Sequence, residues 1–151
     1  MDPISIIVAA LAAGAAAGLK ANAETVVKDA YEGIKALIKR KYSGVDLTPL
    51  ENKPESEKKR ESVAEDLEEA GAAEDLELLD QAKALADVVK QHAPATGPAI
   101  GVDLEQVSAQ FLTIRKVVAE GTGVKVRKGK FPGGIDIGEV QAGNVGERKN
   151  P

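Results

Sequence analysis

Several residue types are scarce or missing, and each scarcity removes a class of function. Among 151 residues there is no cysteine and no tryptophan, with one methionine and one histidine, His92. Without cysteine there are no disulfides, no thiolate nucleophile and no thiolate zinc cage. With His92 alone, most metal and acid–base chemistry falls away too. Aromatics are 3% of the chain, so a core must be assembled from Ala, Leu, Val and Ile. The net charge of −4 argues against a nucleic-acid clamp, and no nucleic-acid partner or cofactor is expected. We find no phosphate loop, no HExxH, no GxSxG and nothing that positions a carboxylate pair. The reading at this level is a protein that is not an enzyme.

What is present is strongly zoned. Apolar residues make up 43% of the chain, enough to build a core. Ile4–Leu19 carries no charge at all, residues 20–42 are net +3, residues 43–92 net −8, and residues 122–151 net +3. The uncharged run, ISIIVAALAAGAAAGL, spans about 24 Å as a helix against the ~30 Å of a hydrocarbon layer. Extension through Ala21 and Ala23, with Lys20 snorkelling, closes the gap. Ala10, Gly14 and Gly18 recur every fourth position and line one helix face with small residues, a pattern that favours close helix packing in lipid. Three readings stand: a buried core helix, a helix that inserts on activation, and a constitutive anchor. The membrane-inserting set is Ile4, Ile6, Ile7, Val8, Leu11, Gly14, Gly18 and Leu19.

Amphipathic helices follow. Val27, Ala30, Ile34, Leu37 or Ile38, and Lys41 or Tyr42 step by three and four, with Asn22 as a candidate cap unless the first two helices run on as one. Lys39, Arg40 and Lys41 suit the end of that helix through its dipole, and the same cluster is a candidate grip for lipid headgroups. Val45–Lys53, with Pro49, reads as a connector. A third helix is expected over about Glu55–Ala70, stopped by Gly71, with Val63, Ala64, Leu67 and Ala70 as its stripe. A fourth is expected over about Glu74–His92, with Leu78, Leu79, Ala82, Leu85, Ala86 and Val89 on one face and His92 as a helix-end residue. Ala93–Pro98 reads as a break. Asp103 and Gln106 form a capping box opening a fifth. The fold class is therefore mainly α, a four- or five-helix bundle over residues 1–110, with a short β-prone tail over 111–151.

The tail echoes itself. Leu112, Ile114, Val117 and Ala119 reappear 23 positions on as Ile135, Ile137, Val140 and Ala142, and Val124-Lys125-Val126 alternates as a strand does. Leu104, Val107, Phe111, Ile114 and Val118 also step as a helix, so residues 104–119 carry two patterns at once. A helix to about residue 118 followed by weak strands, and a segment that pairs edge-to-edge with its own copies, are both open.

Two resemblances meet in this chain. MDPISIIVAALAAGAAAGLK followed by a bundle resembles the bacterial Bell domain, which is similar to fungal HeLo-type domains and to the four-helix executioner domain of necroptosis. The tail, GTGVKV…GGIDIGEVQAGN, resembles bacterial amyloid signalling motifs and, through them, the RIP homotypic interaction motif. Val140-Gln141-Ala142-Gly143 matches that motif's four-residue core with Ala at the aliphatic place, and Ile135-Asp136-Ile137-Gly138 matches with Asp in place of Gln. The resemblance implies a pore-forming cell-death effector of bacterial immunity. A receptor of the NLR-like, nucleotide-binding oligomerising kind with a matching motif would template the tail into an amyloid homo-oligomer. Its core would comprise Leu112, Ile114, Val117, Ala119, Val124, Val126, Ile135, Ile137, Val140, Gln141, Ala142 and Gly143. The chain would then pass from the cytoplasm to the lipids of the inner or plasma membrane. The alternative is a non-enzymatic adaptor with a buried first helix and a homotypic tail.

Overall fold

The structure, a computed structural model, describes residues 2–124. Residues 1–116 form one compact unit and 117–151 a second, of which Val117–Val124 are described.

The first helix, α1 (Pro3–Gly18), begins where its chemistry dictates. Asp2 accepts from the Ser5 N–H at 2.8 Å, and Pro3 sits in the first turn, where its missing N–H costs nothing. Thirteen of its sixteen residues are buried, Ile4, Ile6, Ile7, Val8 and Leu11 among them. A helix that is apolar on every side has no face to give to water, so it takes the centre of the bundle. The other helices of the unit pack round it: α2 (Thr25–Lys41), α3 (Thr48–Asn52), α4 (Glu57–Glu69), α5 (Leu76–His92) and α6 (Thr96–Ile100). A 3₁₀ turn, Ala72–Glu74, links α4 to α5, and α7 runs over Leu104–Val124.

The surrounding helices are amphipathic as their periodicity requires. α5 buries Leu78, Leu79, Ala82, Leu85, Ala86 and Val89, the six expected positions. α4 buries only Val63 and Leu67, and α2 buries Val27, Tyr31, Ile34, Leu37 and Ile38. Tyr31 is the largest fully buried side chain, and its hydroxyl donates to Glu51 of α3 at 2.7 Å, which makes its burial tolerable. Ser56, Asp75 and Asp103 cap α4, α5 and α7 through their carboxylate or hydroxyl oxygens. Gly71 and Gly101, with φ of 80° and 79°, supply the left-handed residue at the breaks that follow α4 and α6.

Some expectations are corrected. The Val45–Lys53 connector contains the short helix α3, because Pro49 stands in its first turn, where proline is tolerated. The Ala93–Pro98 break runs into a short helix, α6, which begins at Thr96. The first two helices are separate, and the residue before α2 is Glu24, so Asn22 is not its cap. Between the two patterns carried by residues 104–119, the helical one prevails: Leu104, Val107 and Phe111 are buried, and that burial rewards the three-four step. The helix continues to Val124, so Val124 is helical and not the start of a strand, as are Leu112, Ile114, Val117 and Ala119. No strand occurs among the described residues.

Close packing of α1 has a testable consequence. A Cβ built on Gly14 would stand 2.5–2.9 Å from three side-chain carbons of Leu85. Gly14→Leu is expected to destabilise the fold by about 1–3 kcal/mol through overpacking. Adding Leu85→Ala should recover part of that loss, so the double variant will unfold at higher urea than the two single losses summed require.

Candidate functional site

The uncharged helix that the sequence offers as the membrane-acting element is the one that the fold hides. α1 is held by packing along its length and by polar clasps between the helices around it. Gly14 lets α5 approach until Leu85 lies against the α1 backbone. Gly18 does the same for α2, where the position of a Cβ lies 3.4 Å from both the Tyr31 Cβ and the Val27 carbonyl oxygen. The small-residue face is thus occupied inside the bundle by two neighbouring helices. Leu19 alone of the proposed inserting residues lies outside α1, at its C-cap, 44% exposed.

The first clasp joins the end of α2 to the start of α5. The Tyr42 hydroxyl and the Lys41 ammonium both reach Asp75, the Lys41 Nζ at 3.1 Å, while Asp75 also caps α5 by accepting from the Leu78 N–H at 3.1 Å. Lys41 further pairs with Glu77 at 2.8 Å, and Arg40 stands 3.7 Å from the same carboxylate. Burial pushes the Asp75 carboxyl up, but the bonds from Tyr42, Leu78 and Lys41 outweigh it and hold the group below its ordinary value of 3.8. Burial first, and then the bond to Asp75, push the Tyr42 hydroxyl up to about 12. Of the basic cluster, Arg40 and Lys41 therefore have acidic partners on α5, and Lys39 makes no ion pair among the described residues.

A second clasp ties α3 to α2. Glu51 accepts from the buried Tyr31 hydroxyl and pairs with Lys35 at 2.8 Å. Burial and the bond to Glu51 push the Tyr31 hydroxyl far above its ordinary value, so it is a fixed donor. Arg60 of α4 donates to the carbonyls of Pro54 at 2.9 Å and Ile100 at 3.2 Å, pinning α6 over α1. α7 is held to α5 by three contacts: Ser108 donates to Asp87 at 2.7 Å, Glu105 pairs with Lys90 at 3.1 Å, and Arg115 meets Asp80. His92 closes the other end of the bundle, its Nδ1 3.1 Å from Glu24 before α2. It is a helix-end residue with a carboxylate neighbour.

Among the described residues no group of His, Asp and Glu could hold a metal ion. A cleft of about 390 Å³ between α1, α4 and the start of α7 is lined by Ser5, Val8, Ala9, Arg60, Asp103 and Gln106. No helix among the described residues is long and apolar enough to cross a membrane. The sequence pattern anticipated the apolar helix but not the clasps. Tyr42 and Asp75 lie 33 positions apart, and no local signal pairs them.

The model of the Het-E N-terminal domain matches residues 1–144. The chain belongs to that family. The Het-E N-terminal domain is HeLo-like and is associated with cell-death and incompatibility effector function. Its match runs past the helical unit and takes in Leu112–Ala119 as well as Ile135–Gly143. Val126, Ile135, Ile137, Val140, Gln141, Ala142 and Gly143 lie outside the described residues. No curated protein and no solved structure matches the chain.

The α2–α5 clasp predicts how this Het-E N-terminal domain responds to pH. A carboxylate lowered by folding contributes stability above its ordinary value, and that contribution is lost as pH falls through the lowered one. A phenol raised by folding contributes below its ordinary 10.0 and loses that contribution as pH rises towards about 12. Tyr42→Phe should cost about 1.5 kcal/mol at neutral pH, as for a hydrogen bond to a charged group. It should also flatten both limbs of the stability–pH curve measured by urea unfolding, below pH 4 and above pH 10.

Proposed function

We propose that this chain is a cell-death effector whose membrane-acting element is α1, stored inside the bundle and released when copies are gathered. The observation that carries the reading is the placement of one sixteen-residue helix, without a charge and with thirteen of its residues buried. Such a helix is stable in only two settings, a protein core or a bilayer. Family membership supports the same reading.

The physics of the transfer is a matter of concentration. A helix of about 24 Å inserts marginally when alone, because it falls short of the hydrocarbon layer. Gathering many copies raises the effective concentration of α1, and helix packing in lipid then favours the inserted state. Ala10, Gly14 and Gly18 would exchange Leu85 and Tyr31 for the same face on another copy. Lys39, with Arg40 and Lys41 once freed from α5, would meet anionic headgroups. The gathering signal is homotypic. The tail takes a cross-β form on a template, supplied by an NLR-like receptor with a matching motif or by another copy. Its resting place is the cytoplasm and its target the inner or plasma membrane. The protein performs no catalysis and engages no nucleic acid or cofactor.

The full chain, clustered through a C-terminal inducible dimerisation module, is expected to release dye from anionic vesicles. Seeding with fibres of a peptide covering residues 112–145 should produce thioflavin-positive assembly. Ile137→Asp with Val140→Asp should abolish seeding and leave the helical circular dichroism unchanged. An adaptor whose first helix is merely core, a reading that the burial of α1 also favours, would leave vesicles intact however it is clustered.

A further inference from the structure

The break between α1 and α2 is unlike the other helix breaks among the described residues. After α2, α3, α4, α5 and α6 a Gly or Pro follows within three residues: Gly44, Pro54, Gly71, Pro94 and Gly101. After Gly18, which ends α1, the next residue of either kind is Gly33. The intervening Leu19-Lys20-Ala21-Asn22-Ala23-Glu24 contains five good helix formers and a single poor one, Asn22. At the two ends of the turn Leu19 and Glu24 have φ of −96° and −67°, outside the left-handed region.

The capping chemistry is missing as well. Side chains cap the starts of α1, α4, α5 and α7, but at the start of the long helix α2, as at the five-residue helices α3 and α6, no side chain does so, and the Glu24 carboxylate caps nothing. It turns instead to His92 on α5. Within the turn one backbone bond, from the Ala23 N–H to the Lys20 carbonyl at 3.1 Å, closes the chain, and the remaining constraint comes from outside. α2 folds back because Val27 and Tyr31 pack against the end of α1 at Gly18, and because an exposed Glu24–His92 pair, of the kind worth little, restrains its start. Once α1 leaves the bundle, both constraints go. The uncapped N–H groups at the start of α2 and the carbonyls at the end of α1 then satisfy one another best by continuing the helix.

We propose that residues 19–24 become helical when the bundle opens, so that α1 and α2 fuse into one helix, Pro3–Lys41, and that its section Pro3–Ala23 is the segment that spans lipid. The inference rests on the membrane reading above and supplies the length which that reading lacks. α1 is about 24 Å long, whereas twenty-one residues from Pro3 to Ala23 reach about 31 Å, matching the ~30 Å hydrocarbon layer. Lys20, the only charge in that section, stands one turn from its end and snorkels. The partner this surface fits is a bilayer, and the polar remainder of α2 stays in the headgroups and water beyond it.

The absence of cysteine makes the test direct. Spin labels on Ser5→Cys and on the exposed Ala36→Cys in the full chain are separated by 31 residues, about 46 Å in a continuous helix. On clustering with anionic vesicles, the label distance should lengthen to that value while dye is released. Dye release without lengthening overturns the fused helix and leaves the membrane reading standing. Lengthening without release upholds the fused helix and removes the membrane reading. Neither change overturns both. Glu24→Pro and Glu24→Ala separate the helix from the His92 contact. Proline suits the φ of −67° at Glu24, and the N–H it removes donates no backbone bond in the turn, but it would break the fused helix there. Glu24→Ala is expected to keep the long distance and Glu24→Pro to lose it, with both retaining the resting helicity. Equal lengthening in the two variants would overturn the proposal.

Discussion

Everything in this protein depends on enclosing one helix that has no polar side. α1 offers water nothing along most of its length, so the rest of the bundle is arranged as its wrapping. α2 and α5 are amphipathic because their inner faces meet α1 and their outer faces meet solvent. The short helices α3 and α6 close what the longer ones leave open. Leucine, valine, isoleucine and alanine suffice because the central helix is slim, and Gly14 and Gly18 let its neighbours approach the backbone itself. The bundle needs few aromatic residues, and two of them, Tyr31 and Phe111, are fully buried.

The polar contacts have a different character from the core. Asp75, Glu51, Asp87 and Arg60 each join separate helices, and each draws together residues distant in sequence. Several are half exposed, where ion pairs contribute little to stability. Their value is positional: they hold the wrapping in register round α1. Asp75 does two tasks at once, capping α5 and receiving Tyr42 and Lys41 from α2. A wrapping secured at its edges by such contacts, over a helix that is apolar throughout, is firm as a unit and has defined seams.

Much of this was legible in advance because it is local. The inner face of α5 follows from its three-four step alone, residue for residue. Asp103 announces the start of α7 through its spacing to the Gln106 N–H, whereas the caps Asp2, Ser56 and Asp75 were not read in advance. The short helices α3 and α6 were not legible, because five residues cannot show a period and their prolines read as breaks. Tyr31 was missed as a core residue since its burial depends on Glu51, twenty positions away. The stretch from Leu112 to Ala119 carried two periods, and no local rule ranks them; burial of Phe111 and its neighbours does.

The chain by itself determined that one helix would be uncharged, that helices would dominate, and that a few small residues would line a single face. These are properties of composition and spacing, which act over one or two turns. Only the tertiary structure decided that the uncharged helix goes inside, that its glycines serve Leu85 and Tyr31, and that the chain turns back after Gly18 with no Gly or Pro between Leu19 and Glu24. Those outcomes turn on which surfaces meet, and the free energy of burial belongs to pairs of surfaces rather than to either segment alone.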